Sequence, residues 1–241
     1  MSISFFLLLF IVALLYSSVG HGGASGYLAL MAIYGFAPEV MKPTALILNL
    51  FVSLTSFILF FRAGHFKWKL FLPFALASIP FSFLGGTIVL DAHIYKKVLG
   101  VLLLFPVIRF FIYPNVADKD LKESNWTISL LVGAIIGFLS GLIGIGGGIL
   151  LSPILLLLSW TNQKQTAAIS ALFIFVNSIA GLAGQLSHGI KLQPSMISFV
   201  AIAFVAGIAG AWLGSLKFNQ QILKYTLAVV LLMASVKLIL T

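Results

Sequence analysis

The 241-residue chain has no cysteine, which removes disulfides, thiolate metal sites and cysteine nucleophiles from consideration. It is nearly as poor in charge: 8% of its residues are Asp, Glu, Lys or Arg, against about 25% in an ordinary soluble domain. Only five residues are acidic, and three of them (Asp118, Asp120 and Glu123) sit in one short polar stretch. The other two, Glu39 and Asp91, lie near the ends of apolar runs, so the buried carboxylate relay common in proton pumps is not visible. The fourteen Lys and Arg are spread through the connections without a basic tract. The formal charge of +9 therefore points to lipid headgroups and membrane orientation, and no nucleic-acid partner is expected. Enzyme signatures are missing as well. There is no His-Glu-x-x-His, no Gly-x-Ser-x-Gly and no aspartate inside an apolar run, and the glycine-rich stretches lack the Lys-Ser/Thr of a P-loop. The expectation is a protein that is not an enzyme and carries no metal or other cofactor.

What is present is apolar: 61% hydrophobic residues and a mean hydropathy of +1.17. These values predict an all-α polytopic membrane protein. Apolar runs fall at about 3–34, 44–61, 70–90, 98–113, 127–159, 166–186, 192–216 and 222–240. The first has no basic n-region and no small-residue cleavage pattern before Tyr16-Ser17-Ser18, so it reads as a helix of the mature protein and not as a secretory signal. The first and fifth runs exceed 30 residues. As unbroken helices they would reach roughly 48 Å, against a hydrocarbon core of about 30 Å.

Both long runs carry glycine at their centres, Gly20–Gly26 in the first and Gly141–Gly148 in the second. Five glycines within eight residues, at about 1 kcal/mol each relative to alanine, predict that the second run breaks in mid-membrane. Broken backbone in hydrocarbon is tolerable only where protein covers it or where it lines a polar cavity. Splitting both runs gives ten helical segments, or eight if each long run is counted once.

The breaks also reveal an internal repeat. A shift of 124 residues places Gly20, Gly22 and Gly23 on Gly144, Gly146 and Gly147. With small gaps, Thr44-Ala45-Leu46 meets Ser170-Ala171-Leu172, Gly64 meets Gly189, Gly85 meets Gly210, and Lys97-Val98-Leu99 meets Lys224-Tyr225-Thr226. One transmembrane domain over 1–241 is predicted, with repeat one at about 1–113, a polar linker at 114–126 and repeat two at 127–241. If each broken run enters and leaves on one face, a half crosses an odd number of times and its copy is inverted. Lys and Arg then divide nine to five between the two sides; if each broken run crosses once they divide eight to six. The positive-inside rule favours the inverted repeat, with the linker in the cytoplasm and both termini outside. Trp68, Trp126 and Trp160, near run ends, read as interface anchors.

Two half-helix starts related by an inverted repeat are a recurring way to build a transporter site. A helix N-terminus offers unpaired N–H groups and about half a positive charge, which attracts anions. No Lys or Arg is placed well inside an apolar run by this reading, so the backbone is the positive field available. Gly22, Gly23, Gly146, Gly147 and Gly148 are the candidate backbone donors. Asn49, Asn177, Thr44 and Ser170 would complete the shell, and His21, whose counterpart is Ile145, would bind substrate or carry a proton. Each assignment has a plainer alternative: glycines that let helices pack closely, amides that bond across helices (Gln185 included), and a structural histidine. Glu39 beside Lys42 reads as an interfacial pair.

At Gly144-Ile-Gly-Gly-Gly-Ile-Leu-Leu-Ser-Pro153 the sequence resembles the TauE/SafE sulfite exporter family. The first-half break and the pair Thr44-Ala45-Leu46 and Ser170-Ala171-Leu172 fit that family's two-half pattern. The resemblance covers essentially the whole chain and implies movement of sulfur-containing anions such as sulfite, sulfoacetate and related sulfonates across the bacterial cytoplasmic membrane; taken with the inverted repeat, the expectation is a secondary transporter, an exporter, whose halves rock about a central site. His21 and Ala24 depart from the second-half pattern of Ile145 and Gly148. The partners implied are a small anionic substrate and membrane lipids, with coupling to a proton or another ion left open along with the oligomeric state. An anion channel, or a transporter of another small solute in which the glycines serve packing, is the alternative reading.

Overall fold

The computed structural model describes residues 3–18, 23–112, 121–190, 195–216 and 231–240. Among these, all regular structure is helical: α1 (Ile3–Ser18), α2 (Ala24–Ile33), α3 (Pro38–Arg62), α4 (Trp68–Thr87), α5 (Ala92–Ile112), α6 (Trp126–Ile143), α7 (Gly148–Leu157), α8 (Gln163–Ser187), α9 (Ser195–Leu216) and α10 (Leu231–Leu240). Both long apolar runs are divided, the first into α1 and α2 and the second into α6 and α7. Helices α3, α4, α6 and α8 are each long and apolar enough to cross a membrane. Large side chains such as Leu76, Val101, Leu131 and Ile135 are exposed on the outside, a surface suited to lipid and not to water.

Local sequence sets the helix starts. Pro38 opens α3, where its fixed φ suits the first helical position and its missing N–H is no loss. Asn125 caps α6 by accepting the Ile128 N–H at 3.1 Å. Asn162 and Gln165 form a reciprocal capping box at the start of α8.

Each broken run is an antiparallel hairpin. Tyr16 and Ser25 share a hydroxyl hydrogen bond of 2.8 Å near the tip of the first, and Tyr34 Oη donates to Ser4 Oγ at 2.9 Å near its base. In the second, Gly147 lies against Ser140 at the tip. At the base the Lys122 N–H, just ahead of α6, donates to the carbonyl of Ser159, just past α7, at 2.8 Å.

Several local features recur at the spacing of the sequence match. Helices α2 and α7 have 10 residues each and end in the same three backbone hydrogen bonds, shifted by 124 positions. Helices α3 and α8 have 25 residues each, and each is followed by a left-handed glycine, Gly64 or Gly189. Packing crosses between the halves. Helix α4 lies on α6, with Gly85 against the Phe138 carbonyl, and α9 lies on α1, with Gly210 against the Leu14 carbonyl. Two bundles result, α1–α2–α9 and α4–α6–α8, meeting where α3 packs on α8. Trp160 departs from the expectation for an interface anchor: it is buried against Phe74, whereas Trp68 and Trp126 are exposed.

Candidate functional site

The α6–α7 break is built from backbone that side chains resist. Gly144, Gly146 and Gly147 have φ of +85°, +78° and +77°, the left-handed region where only glycine sits without strain. Gly144 closes α6, its N–H donating to the Ser140 carbonyl at 2.8 Å, and Gly147 opens α7. The N–H groups of Leu150 and Leu151 bond the Gly147 carbonyl at 3.0 Å each, and those of Gly148 and Ile149 come too early in α7 to have an acceptor within the helix. Residues 141–153 are all buried, so this helix start faces protein and not lipid. Helix α6, at 18 residues, is about 27 Å long, close to the roughly 30 Å thickness of a hydrocarbon core.

Two long helices enclose the break. Asn49 and Asn177 stand near the middle of α3 and α8, and both are fully buried. The Asn49 amide presses on Gly146 and donates to Ser178 Oγ at 3.4 Å. The Asn177 side chain donates to Ser78 Oγ at 3.0 Å and to the Phe173 carbonyl at 2.8 Å, while the backbone carbonyl of Asn177 accepts from Ser82 Oγ at 2.8 Å. Among the described residues neither side-chain amide oxygen has a partner, and nor does the hydroxyl of Ser140 beside Gly147. Orphaned buried polar atoms are rare and call for a ligand or water. Ser170 lies within 2.8 Å of Ser152 Oγ, which donates to the Gly148 carbonyl at 2.7 Å, so it is tied to the first turn of α7.

The structure thus brings Gly146, Gly147, Gly148, Asn49 and Ser170 together, with Asn177 adjoining them. Thr44 is buried, and its hydroxyl bonds the Val40 carbonyl of its own helix at 2.6 Å. Gly23 opens α2 at the other break and lies against the ring of Tyr27. No described contact joins Gly23 or Thr44 to the cluster. His21 and Gly22 lie outside the described residues.

Sequence reasoning missed four groups. Ser140, Ser152 and Ser178 are single hydroxyls in apolar runs, which carry no pattern of their own. Lys42 is a finding of a different kind, because it lies outside the apolar run as the sequence delimits it and yet is buried. Lys42 is 4% exposed, its Cα lies 2.9 Å from where a Cβ on Gly144 would stand, and its Nζ is 5.1 Å from the centroid of the Tyr95 ring. The hydropathy pattern begins the span at residue 44, but the helix begins at Pro38 and carries Lys42 in with it. Among the described residues no three His, Asp or Glu side chains cluster as metal ligands would.

The family profile described as Sulfite exporter TauE/SafE matches residues 5–238. A probable membrane transporter protein of Sinorhizobium fredii, y4hK, is 38% identical over 241 residues, covering 95% of each chain. A second, MJ0441 of Methanocaldococcus jannaschii, is 33% identical over 227 residues, covering 88% of this chain and 84% of its own length. YjnA of Bacillus subtilis, likewise described as a probable membrane transporter, is 25% identical across 99% of this chain. No solved structure matches at a significant level.

Proposed function

This chain belongs to the TauE/SafE sulfite exporter family of multi-pass membrane transporters and is not an enzyme, and on that premise we propose that it exports small sulfur-containing anions, such as sulfite or organosulfonates, across the cytoplasmic membrane. The observation that carries this reading is the start of α7: a glycine-built helix N-terminus, buried at the contact of α3 and α8, and bordered by unpartnered polar atoms of Asn49, Asn177 and Ser140. Such a site attracts an anion through fixed dipoles, and glycine lets the anion approach the backbone. Each amide can rotate to present its NH2 group in place of its oxygen. Gly146, Gly147, Gly148, Asn49, Asn177 and Ser170 would form the shell on this side. Gly22, Gly23, Thr44 and His21 would belong to the equivalent break in the first half.

The proposal includes one domain of two inverted repeats. A hairpin returns to the face it left, so each half contributes a hairpin and three further helices and crosses an odd number of times, which turns its copy over. Alternating access would expose the site to each face in turn. Any coupling to a proton or another ion would run without a carboxylate at the centre.

The test is anion flux in proteoliposomes. Wild-type protein is expected to move sulfite, with competition from sulfonates and no conductive reversal potential, and Gly147→Leu is expected to abolish both flux and anion-induced thermal stabilisation. Unchanged flux in Gly147→Leu would overturn the site, and a reversal potential following the anion gradient would make the protein a channel.

A further inference from the structure

Lys42 is a buried cation that the site as described above does not use. It is 4% exposed, and the carboxylate that acts on its charge is Glu39 of its own helix. Glu39, one turn earlier in α3, is exposed, as is Asp91, which precedes α5. Three elements surround Lys42. Its own helix supplies Glu39, the α6–α7 break supplies the backbone of Gly144, and α5 supplies the ring of Tyr95. The Tyr95 hydroxyl is itself fixed, donating to the Ile143 carbonyl at 2.9 Å. One aromatic face recovers only part of the hydration that an ammonium loses on burial.

The position of Lys42 gives that charge a use. Lys42 and Asn49 are seven residues apart on α3, two turns along one face and about 10 Å in distance. The backbone and Cβ of Lys42 abut Gly144 and the side-chain amide of Asn49 abuts Gly146, while the Lys42 ammonium lies over Tyr95, whose hydroxyl bonds Ile143 at the end of α6. At the inner end the Asn49 oxygen is buried and unpartnered. We propose that Lys42 is a substrate-binding residue that meets a small sulfur oxyanion at the Gly144 end of the break, its ammonium moving from the Tyr95 ring onto the anion's oxygens. This rests on the anion reading above and adds a charged station to it. The position aligned with Lys42 by the Thr44 and Ser170 correspondence is Ala168, so the station exists at one end of the path only. A single cation at one end makes anion capture tighter from that side.

The experiment measures thermal stabilisation of the purified full-length protein by sulfite and by sulfoacetate, and sulfite flux in proteoliposomes, for wild type, Lys42→Met and Lys42→Arg. Lys42→Met is expected to raise the half-saturating anion concentration on the order of ten-fold or more, the usual scale for losing one charge-assisted contact. Its melting temperature without anion should be equal to or above that of wild type, because a buried charge whose lost hydration is only partly recovered has been removed. Lys42→Arg is expected to stay within about three-fold of wild type, since it keeps the charge. A merely structural Lys42 would give the opposite pattern, a lower melting temperature with unchanged anion response, and would overturn the proposal. If wild type itself shows neither binding nor flux with either anion, the anion reading fails. If wild type responds and Lys42→Met responds identically, only the assignment of Lys42 fails. Should Lys42→Met not fold, Lys42→Gln takes its place, and failure of both to fold would overturn the proposal by showing the charge to be structural.

Discussion

Asn49 and Gly146 touch at the centre of the molecule, the side-chain amide of one lying where the other would carry a Cβ. The glycine is therefore doubly constrained, by its left-handed φ of +78° and by the amide on top of it. Gly146→Ala should lower stability by about 2 kcal/mol, combining left-handed strain with a displaced neighbour. Flux per folded molecule should fall at least as far as in Asn49→Ala. A thermal melt in detergent beside a flux assay checks this; a variant that melts and transports like wild type would show that the contact carries neither.

Asn177 separates structure from function more cleanly. Its NH2 group already has two acceptors, and only its oxygen lacks a partner. In Asn177→Asp the side chain keeps its size but becomes an acceptor alone, and it places a carboxyl group beside the anion. Flux should fall by about ten-fold or more at neutral pH, the scale of a contact worth 1.4 kcal/mol. Recovery of flux as the pH is lowered would identify the cause as the added charge.

Gly141 sits in α6 against the Ser82 carbonyl of α4 and the backbone N of Gly86. Gly141→Ala pushes two helices apart along their contact, and overpacking of this kind costs about 1–3 kcal/mol. The melting temperature should drop, whereas anion affinity measured on the folded fraction should change little.

Ser159 occupies, with φ +54°, the position that Gly35 fills after α2 with φ +75°. A left-handed non-glycine residue costs roughly 1–2 kcal/mol. Ser159→Gly should therefore raise the melting temperature slightly and leave flux untouched. A fall in stability would mean that the side chain holds something beyond its backbone bonds.

Much of this architecture is legible in the sequence because glycine marks it. The break at Gly144, Gly146 and Gly147, the left-handed ends at Gly64 and Gly189, and the helix contacts at Gly85 and Gly210 all show as repeated glycines before any coordinates are consulted. Composition alone predicts the membrane class. What the sequence does not show is which helix lies on which, because a shift of 124 positions relates two copies without saying that α4 packs on α6 and α9 on α1. Lys42 is hidden for a related reason: hydropathy delimits the apolar part of a helix, and the first turns of α3 lie outside that part. Hydroxyls such as Ser140 and Ser178 escape because a lone serine in a membrane helix usually bonds its own backbone.

The crossed packing of α4 on α6 and α9 on α1 bears on how the molecule could change shape. A cut through the polar linker divides the sequence into nearly equal parts, but among the described helices the extensive contacts of α4 with α6 and of α1 with α9 join one part to the other. Were the two bundles to swing past each other, each would carry helices from both sides of the linker, and the seam between them would run along α3 and α8, where Asn49 and Asn177 stand.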